Sequence, residues 1–532
     1  MHKKKKARFA ASLAALSLTG TLVAGCSNDG DSKETAPASG EASAQAGQTA
    51  SSPVPVSLIQ PDLGRVWKND NPVTAELEKK TNVKLNVTMF PNNDFNNKYN
   101  VLAASDDIPD ISRLGSFDYQ KYVDQGLFLE LSEYVDKFGP NLKQAIKPEL
   151  WELTKYKGKQ YVIPYENQAG KEVPVVRADW LESLGLKMPA NLDEFEAMLK
   201  AFTFDDPDKN GKNDTYGLGS ANTYAESFMP IFGAYGIAPG FIGGSTPMAS
   251  YAKDDKITPV AVSPEYKAAL EYIKKLWDGK VVDPELFTIK PDQAQQKLAQ
   301  GKIGYFNAWW SIAPQQLMQQ LKMKEIVPNA KWEPISPGIA GPEGKSGMYS
   351  FGTVGAALAI SAKVKNPEAA IKFLDYLATD EGWELSHYGI KGTHYTSVTE
   401  PRTPEGQKAF DEKWLDPLSQ LVSRGDLTGK ASAATTDPVQ IENNRFIDAA
   451  SKYTLYQDAF YGIPLTEEEQ TYGPDVAKYE EEMLIKFVTG TEPLSKWDEY
   501  VETWKKKGGK TILDAKIKSY NELKSAQAAA GI

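Results

Sequence analysis

Apolar and polar positions along the chain fall into strand-like and helix-like periods that recur as strand, helix, strand. Val56-Ser57-Leu58-Ile59 has the pattern of a first strand, Pro72 to Lys80 that of a helix with Thr74 and Glu76 near its start, and Val83 to Val87 alternates as a second strand. Asp107 to Ile111 and Arg113 to Phe117 precede a helix that runs toward Gln125-Gly126-Leu127. Repeated units of this kind predict α/β lobes with largely parallel sheets. Ligands of such sheets sit outside the carboxyl ends of the strands, which makes the loop Gly64 to Asp70 a candidate wall of a site. Near the C-terminus, Leu484, Phe487 and Val488 share a helical stripe, as do Tyr500, Val501 and Trp504. Gly490 and Gly508 are expected to stop those helices.

The first residues carry a different pattern. Lys3 to Lys6 and Arg8 precede an apolar run from Phe9 to Ala24, the layout of an export signal. The run is shorter than the roughly 20 apolar residues of a spanning helix. It ends just before Cys26, the only cysteine. Residues 1–25 are therefore read as a lipoprotein signal peptide and Cys26 as the lipidated first residue of the mature chain. Residues 26–52, rich in Ser, Ala, Gly, Glu and Gln, bury too little surface to order and form a tether.

Composition narrows the partners. The net charge of −10 becomes −15 once the five basic residues of the leader are gone, which disfavours nucleic acid. No second long apolar stretch follows, so the membrane contact is the lipid alone. A single cysteine excludes an intrachain disulfide framework. Aromatic residues make up 11% of the chain, which suits stacking on sugar rings as well as ordinary cores.

Two segments carry candidate chemistry. Asp206, Asp208, Asn210 and Asp214 place oxygen side chains at positions 1, 3, 5 and 9 of an EF-hand-like loop, with Gly211 at the turn and the Lys212 carbonyl as a fifth oxygen. Position 12 is Gly217 where a full motif has Glu, so a regulatory EF-hand is excluded. The loop is either a structural Ca²⁺ site or a solvated turn held by Asx hydrogen bonds. The second segment, Gly304 to Trp310, ends in adjacent tryptophans that point to opposite faces of a strand, leaving one free of the core. Asn307 and Asp70 could bind hydroxyls or serve as turn residues, and Arg177 could hold a carboxylate or be structural. Only His387 and His394 remain in the mature chain, and no nucleophile elbow, Walker loop or Cys/His metal pattern occurs.

Several blocks resemble the family 1 extracellular solute-binding proteins: "PDI" and then "QGLFLEL", "YKGKQYVIPYE" at Tyr156 to Glu166, "VPVVRADWLESLGLKMPANLDEFEAML" at Val173 to Leu199, and "NPEAAIKFLDYLATDEGWELSHYGIKGTHY" at Asn366 to Tyr395. The resemblance implies a two-lobed clamp of the periplasmic-binding-protein type whose chain crosses about three times, near Glu172 to Val176, Tyr349 to Val354 and Gly425 to Thr436. It assigns 53–174 and 354–430 to lobe 1, and 175–353 and 431–532 to lobe 2. It implies no catalysis, an oligosaccharide ligand, two ABC permease subunits as partners, a monomer, and a lipid-anchored place on the outer face of the cell membrane. In the alginate-oligosaccharide-binding relatives the acidic loop holds a structural calcium with a further acidic residue after the last aspartate; Thr215 stands there in this chain. A tryptophan after the strand stacks on ligand in the family, which points to Trp309 or Trp310. Trp67, Arg113, Tyr224, Glu226, Trp383 and Tyr395 are further substrate-contact candidates. The competing expectation is a secreted glycosidase or lyase, because two suitably spaced acids cannot be ruled out among 70 carboxylates.

Overall fold

A computed structural model describes residues 52–529 apart from 69, 93, 168–171, 222, 241–248, 255 and 310–321. The signal peptide, the tether, Cys26 and Trp310 lie outside the described residues. Two mixed sheets organise the chain. The strands that matter are β1 (Val54–Pro61), β2 (Val83–Phe90), β3 (Ile111–Leu114), β4 (Val162–Glu166), β5 (Glu172–Arg177), β6 (Tyr216–Leu218), β7 (Ile303–Trp309), β8 (Trp332–Pro334) and β9 (Val354–Ile360).

The first sheet has the order β2-β1-β3-β9-β4. β1 runs parallel to β2 and β3, with Leu58 opposite Val87 on one side and Ile111 on the other. The last-arriving strand, β9, inserts antiparallel between β3 and β4. The second sheet has the order β8-β5-β7-β6, in which β5 is antiparallel to both neighbours and only β7 and β6 run parallel. The expectation of largely parallel sheets is corrected here: β5 and β9 are the strands by which the chain arrives from the other sheet, and both enter against the local direction.

Local chemistry starts the helices where the apolar period begins. Asn71 caps Pro72–Thr81 by accepting from the Val73 amide at 2.9 Å, with Pro72 in the first turn where its missing N–H costs nothing. Asn191 caps Leu192–Phe204 through the Glu194 amide. Each sheet has its own core. Val56, Leu58, Leu77, Ile111, Leu358 and Phe373 are buried around the first, and Val176, Trp180, Phe195, Phe202, Phe228 and Ile273 beside the second.

Three connections join the two sheets. The first is 167–171, between β4 and β5. The crossing expected near Glu172 to Val176 adjoins β5, all six residues of which are buried in the second sheet. The second connection leaves Met348–Tyr349, which pairs in parallel with Leu455–Tyr456, and reaches β9 at Val354. The third runs through Gly425–Ala433 to the helix Pro438–Ser451, whose Phe446 and Ala449 pack with Val173, Val175 and Phe306.

The C-terminal stripes are buried as their spacing predicts, with Leu484, Phe487, Val488, Tyr500 and Trp504 in the second lobe's packing. Gly490 ends its helix in the left-handed conformation. Gly508 likewise interrupts the helical path: at φ 115° it is non-helical and kinks the chain between the helix Trp497–Trp504 and the helix Lys510–Ala529. A Cβ there would also fall 2.5 Å from the Tyr472 side chain, so the positive φ of the kink and the close packing both require the glycine.

Candidate functional site

On the first lobe, the loop that leaves the carboxyl end of β1 is fastened to the strip 412–420. Arg65 pairs with Asp416 at 3.0 Å and also donates to its carbonyl at 3.1 Å. The Val66 amide donates to the Lys413 carbonyl and the Asn71 side chain to that of Trp414. Arg113, on β3, donates to the Gln420 carbonyl at 2.8 Å and lies 5.5 Å from the Tyr165 ring. Burial pulls its guanidinium down to about 10, with the nearby Arg65 charge acting in the same sense. Trp67 is half-buried against the first-lobe core. These groups form one wall outside the carboxyl ends of β1, β3 and β4.

Trp383 and Tyr395 lie deeper in the same lobe, each about 3% exposed. The Trp383 ring stacks on His387 at 4.6 Å, and Tyr395 donates to Glu384 at 2.6 Å. Burial holds His387 at about 4, so it stays neutral at ordinary pH. Its Nδ1 lies 2.9 Å from the Trp383 carbonyl, which requires the proton on that nitrogen; the same nitrogen cannot then take a proton from Ser386 at 3.1 Å. The Nδ1 of His394 accepts from the Ile390 amide. Neither histidine is placed as a general base for a serine.

On the second lobe, the wall forms where β5 begins and β7 ends. Asn307 donates from one amide nitrogen to the Glu172 carboxylate at 2.7 Å and to the Glu226 carbonyl at 3.0 Å. Its amide oxygen is buried without a partner. Burial first, and then the Glu226 charge, push Glu172 up to about 8 against the opposing pull of Asn307. Trp309 is opposite Glu172 in the ladder. Its side chain lies outside what is described, as does all of Trp310. Glu226 and Trp309 are thus brought together with Glu172, a residue the sequence reading did not select. The signal was a lone acid at the head of the apolar run Val173 to Val176. Tyr224 turns elsewhere, donating to Glu481 at 2.8 Å with its ring against Phe287.

A cavity of about 510 Å³ lies apart from both walls, bordered by Tyr235, Tyr251, Lys345, Tyr456 and Asp458 and containing none of the groups just described.

The acidic loop joins the helix Leu192–Phe204 to β6. The amides of Asn210 and Gly211 donate to Asp206 at 3.0 and 2.9 Å, and the Asn210 side chain donates to Asp208 at 2.8 Å and Asp214 at 3.2 Å. Burial and the adjacent Asp206 carboxyl raise Asp208. Crowded carboxylates are the donor chemistry of a hard cation, yet Asn210 faces two of them with its nitrogen, the pattern of an Asx-bonded turn. Among the described residues no group of three or more His, Cys, Asp or Glu is arranged to hold one ion. The departure at position 12 has a steric cause, since a Cβ on Gly217 would fall 2.4 Å from the Leu199 carbonyl oxygen. Thr215 is buried and donates to the Phe202 carbonyl, so it does not take the place of an acidic ligand.

Two α/β lobes, each built on its own sheet and joined by three connections, are the architecture of a two-lobed binding protein. Residues 70–382 match the family described as bacterial extracellular solute-binding protein, and the chain belongs to that family. The polygalacturonan/rhamnogalacturonan-binding protein YtcQ of Bacillus subtilis (strain 168) is 28% identical over 84% of this chain and 88% of its own. The lipoprotein LipO of the same organism is 26% identical over 96% and 98%. In fold, the chain is similar to the S. pneumoniae ABC-transporter substrate binding protein FusA, an EF-hand mutant in complex with fructo-nystose: TM-score 0.68, 21% identity, 89% of this chain and 100% of that one.

Proposed function

We propose that this solute-binding protein is the capture subunit of an ABC importer, taking an oligosaccharide between its lobes and releasing it unaltered to two permease subunits. The observation that carries the reading is that each lobe gathers aromatic and polar groups at its strand ends, Trp67, Arg65 and Arg113 on one and Glu172, Asn307 and Trp309 on the other. Flat rings suit the apolar C–H faces of sugars, and amide, carboxyl and guanidinium groups suit hydroxyls. The name of YtcQ and the ligand of FusA support the carbohydrate class. Ligand touches both walls only when they close, so its binding favours the closed form, which the permeases then recognise.

Lobe 1 is assigned 53–174 and 354–430 less the residues of β5, and lobe 2 the remainder. The protein acts as a monomer on the outer face of the cell membrane, anchored by lipid on Cys26 with 26–52 as its tether; the relation to LipO supports the lipoprotein part. Calcium is assigned to Asp206, Asp208, Asn210, the Lys212 carbonyl and Asp214, with the Asn210 amide turned so that its oxygen faces the ion. The EF-hand of FusA supports this assignment. The ion would neutralise the crowded carboxylates and fix the turn, with no part in capture.

The test is a thermal-shift screen of the mature chain against neutral and uronic oligosaccharides, with chromatography of the recovered sugar. A raised Tm with intact sugar is the expected result. Turnover of the best ligand, or no shift with any sugar, would refute the proposal.

A further inference from the structure

Arg402 stands out among the cations of the first lobe. Its guanidinium lies 4.0 Å from the centroid of the Phe410 ring and 5.8 Å from that of Tyr388. Its Nε is buried and has no hydrogen-bond partner, and among the described residues it forms no ion pair. A buried donor of a charged group left unmet is costly, so such a group calls for a partner. The neighbouring acids do not supply one: Asp416 is paired with Arg65, and Asp411 and Asp437 act on Arg402 only at longer range. Trp383, whose ring is 5.7 Å from the same Tyr388, holds a second unpartnered buried donor in its indole Nε1.

The position matters as much as the lack of a partner. Thr436, on the third connection, donates to the Thr399 carbonyl through both its amide and its hydroxyl, at 2.7 and 3.2 Å. That contact sets the strip 397–402 beside the place where the chain passes between lobes. Asp416 ties the same neighbourhood to Arg65, on the loop that leaves β1. Arg402 thus shares the neighbourhood of Asp416 with Arg65 of the wall already described, its guanidinium over the Phe410 ring.

We propose that Arg402 is the residue that reads a carboxylate on the captured oligosaccharide, and that the ligand is therefore a uronate-containing sugar. This rests on the oligosaccharide reading above. A guanidinium holds its N–H groups in one plane, the geometry for bidentate pairing with a carboxylate; a lysine ammonium has no such plane. Binding would supply the acceptor that the fold withholds, and the charge of Arg402 would then be matched only in the liganded form. Arg177, which the sequence offered as a carboxylate holder, already holds one: its Nε and one terminal nitrogen engage Asp179 at 2.8 and 2.6 Å, and its remaining terminal nitrogen is buried without a partner.

The experiment is calorimetry on the full mature chain with trigalacturonate, its methyl ester, trimannuronate and a neutral fructo-oligosaccharide. The wild type is expected to bind a uronate trimer about tenfold or more tightly than the ester, with either uronate as the preferred source. Arg402→Gln should lose about tenfold on the acid and bring the acid-to-ester ratio near one, and Arg402→Lys should fall between. Melting curves establish that each variant folds; if the Gln variant does not, the wild-type ratio and the Lys variant decide. A wild type indifferent to esterification, or a Gln variant that keeps the preference, overturns the proposal. Binding of the neutral sugar alone overturns it and spares the oligosaccharide reading, whereas no binding of any probe removes both.

Discussion

At the scale of single residues, Glu172 joins stability to pH. Its carboxyl is raised to about 8 in the fold, well above the ordinary range near 4.5 in the unfolded chain. Between those values the folded protein keeps a proton that the unfolded chain has released, so stability from this group is complete below about pH 4.5 and is lost as pH rises toward 8. Glu480, half-buried and accepting from the Trp504 indole, is raised to about 7 and acts in the same direction. Urea unfolding of the wild type should show stability falling from about pH 5 to about pH 8, and Glu172→Gln should flatten that slope. A wild type whose stability is flat or rises across the window would contradict the account. Trp309 gives a second residue-scale expectation from its place opposite Glu172. Trp309→Ala or Trp310→Ala should weaken ligand binding by about tenfold for whichever ring stacks, measured by calorimetry. Wild-type affinity in both would displace the site. The sequence pointed to Trp309, Glu226 and Arg113 because aromatic, acidic and basic types near strand ends are informative alone. It could not show that Tyr224 turns to Glu481, since that depends on a helix more than 200 residues away along the chain.

At the scale of elements, the acidic loop is the clearest case. Leu192–Phe204 and β6 are packed against each other, with Thr203 accepting from the Gly217 amide at 2.9 Å, so ordering the loop between them stiffens both. Addition of EDTA to protein purified without chelator should lower Tm by roughly 2–5 °C, restored by calcium and not by magnesium. An unchanged melting curve would leave the loop as an Asx turn. Strand and helix positions near the N-terminus of the fold were legible from period alone: Val54–Pro61, Pro72–Thr81 and Val83–Phe90 contain the expected segments. Strand direction was not. Whether Glu172–Arg177 lies parallel or antiparallel depends on partners at 303–309 and 332–334, and local pattern carries no record of them. Gly508 was legible as a helix stop, whereas the approach of the Tyr472 side chain, which also demands a glycine there, was not.

At the scale of the whole molecule, closure is the property to measure. Tyr461 makes one tie across the second connection: its hydroxyl accepts from the Val354 amide at 2.7 Å and its ring meets Phe117 edge-on at 5.2 Å. Gly352 lets that ring approach, a Cβ there falling about 2.1 Å from it. Small-angle X-ray scattering should show a smaller radius of gyration with saturating ligand, and an unchanged radius would sink the clamp mechanism. The two-lobed class itself was legible through the order of the resembling blocks rather than through any one of them. The strand order β2-β1-β3-β9-β4 has a consequence for biogenesis. A polypeptide that emerges from the cell N-terminus first displays β3 and β4 with a vacant lane between them until residues 354–360 arrive. The first lobe must wait, its open edges exposed to mispairing, while the second is threaded out, so a secretion chaperone has its longest task here and a nascent chain stalled before Val354 should be degraded.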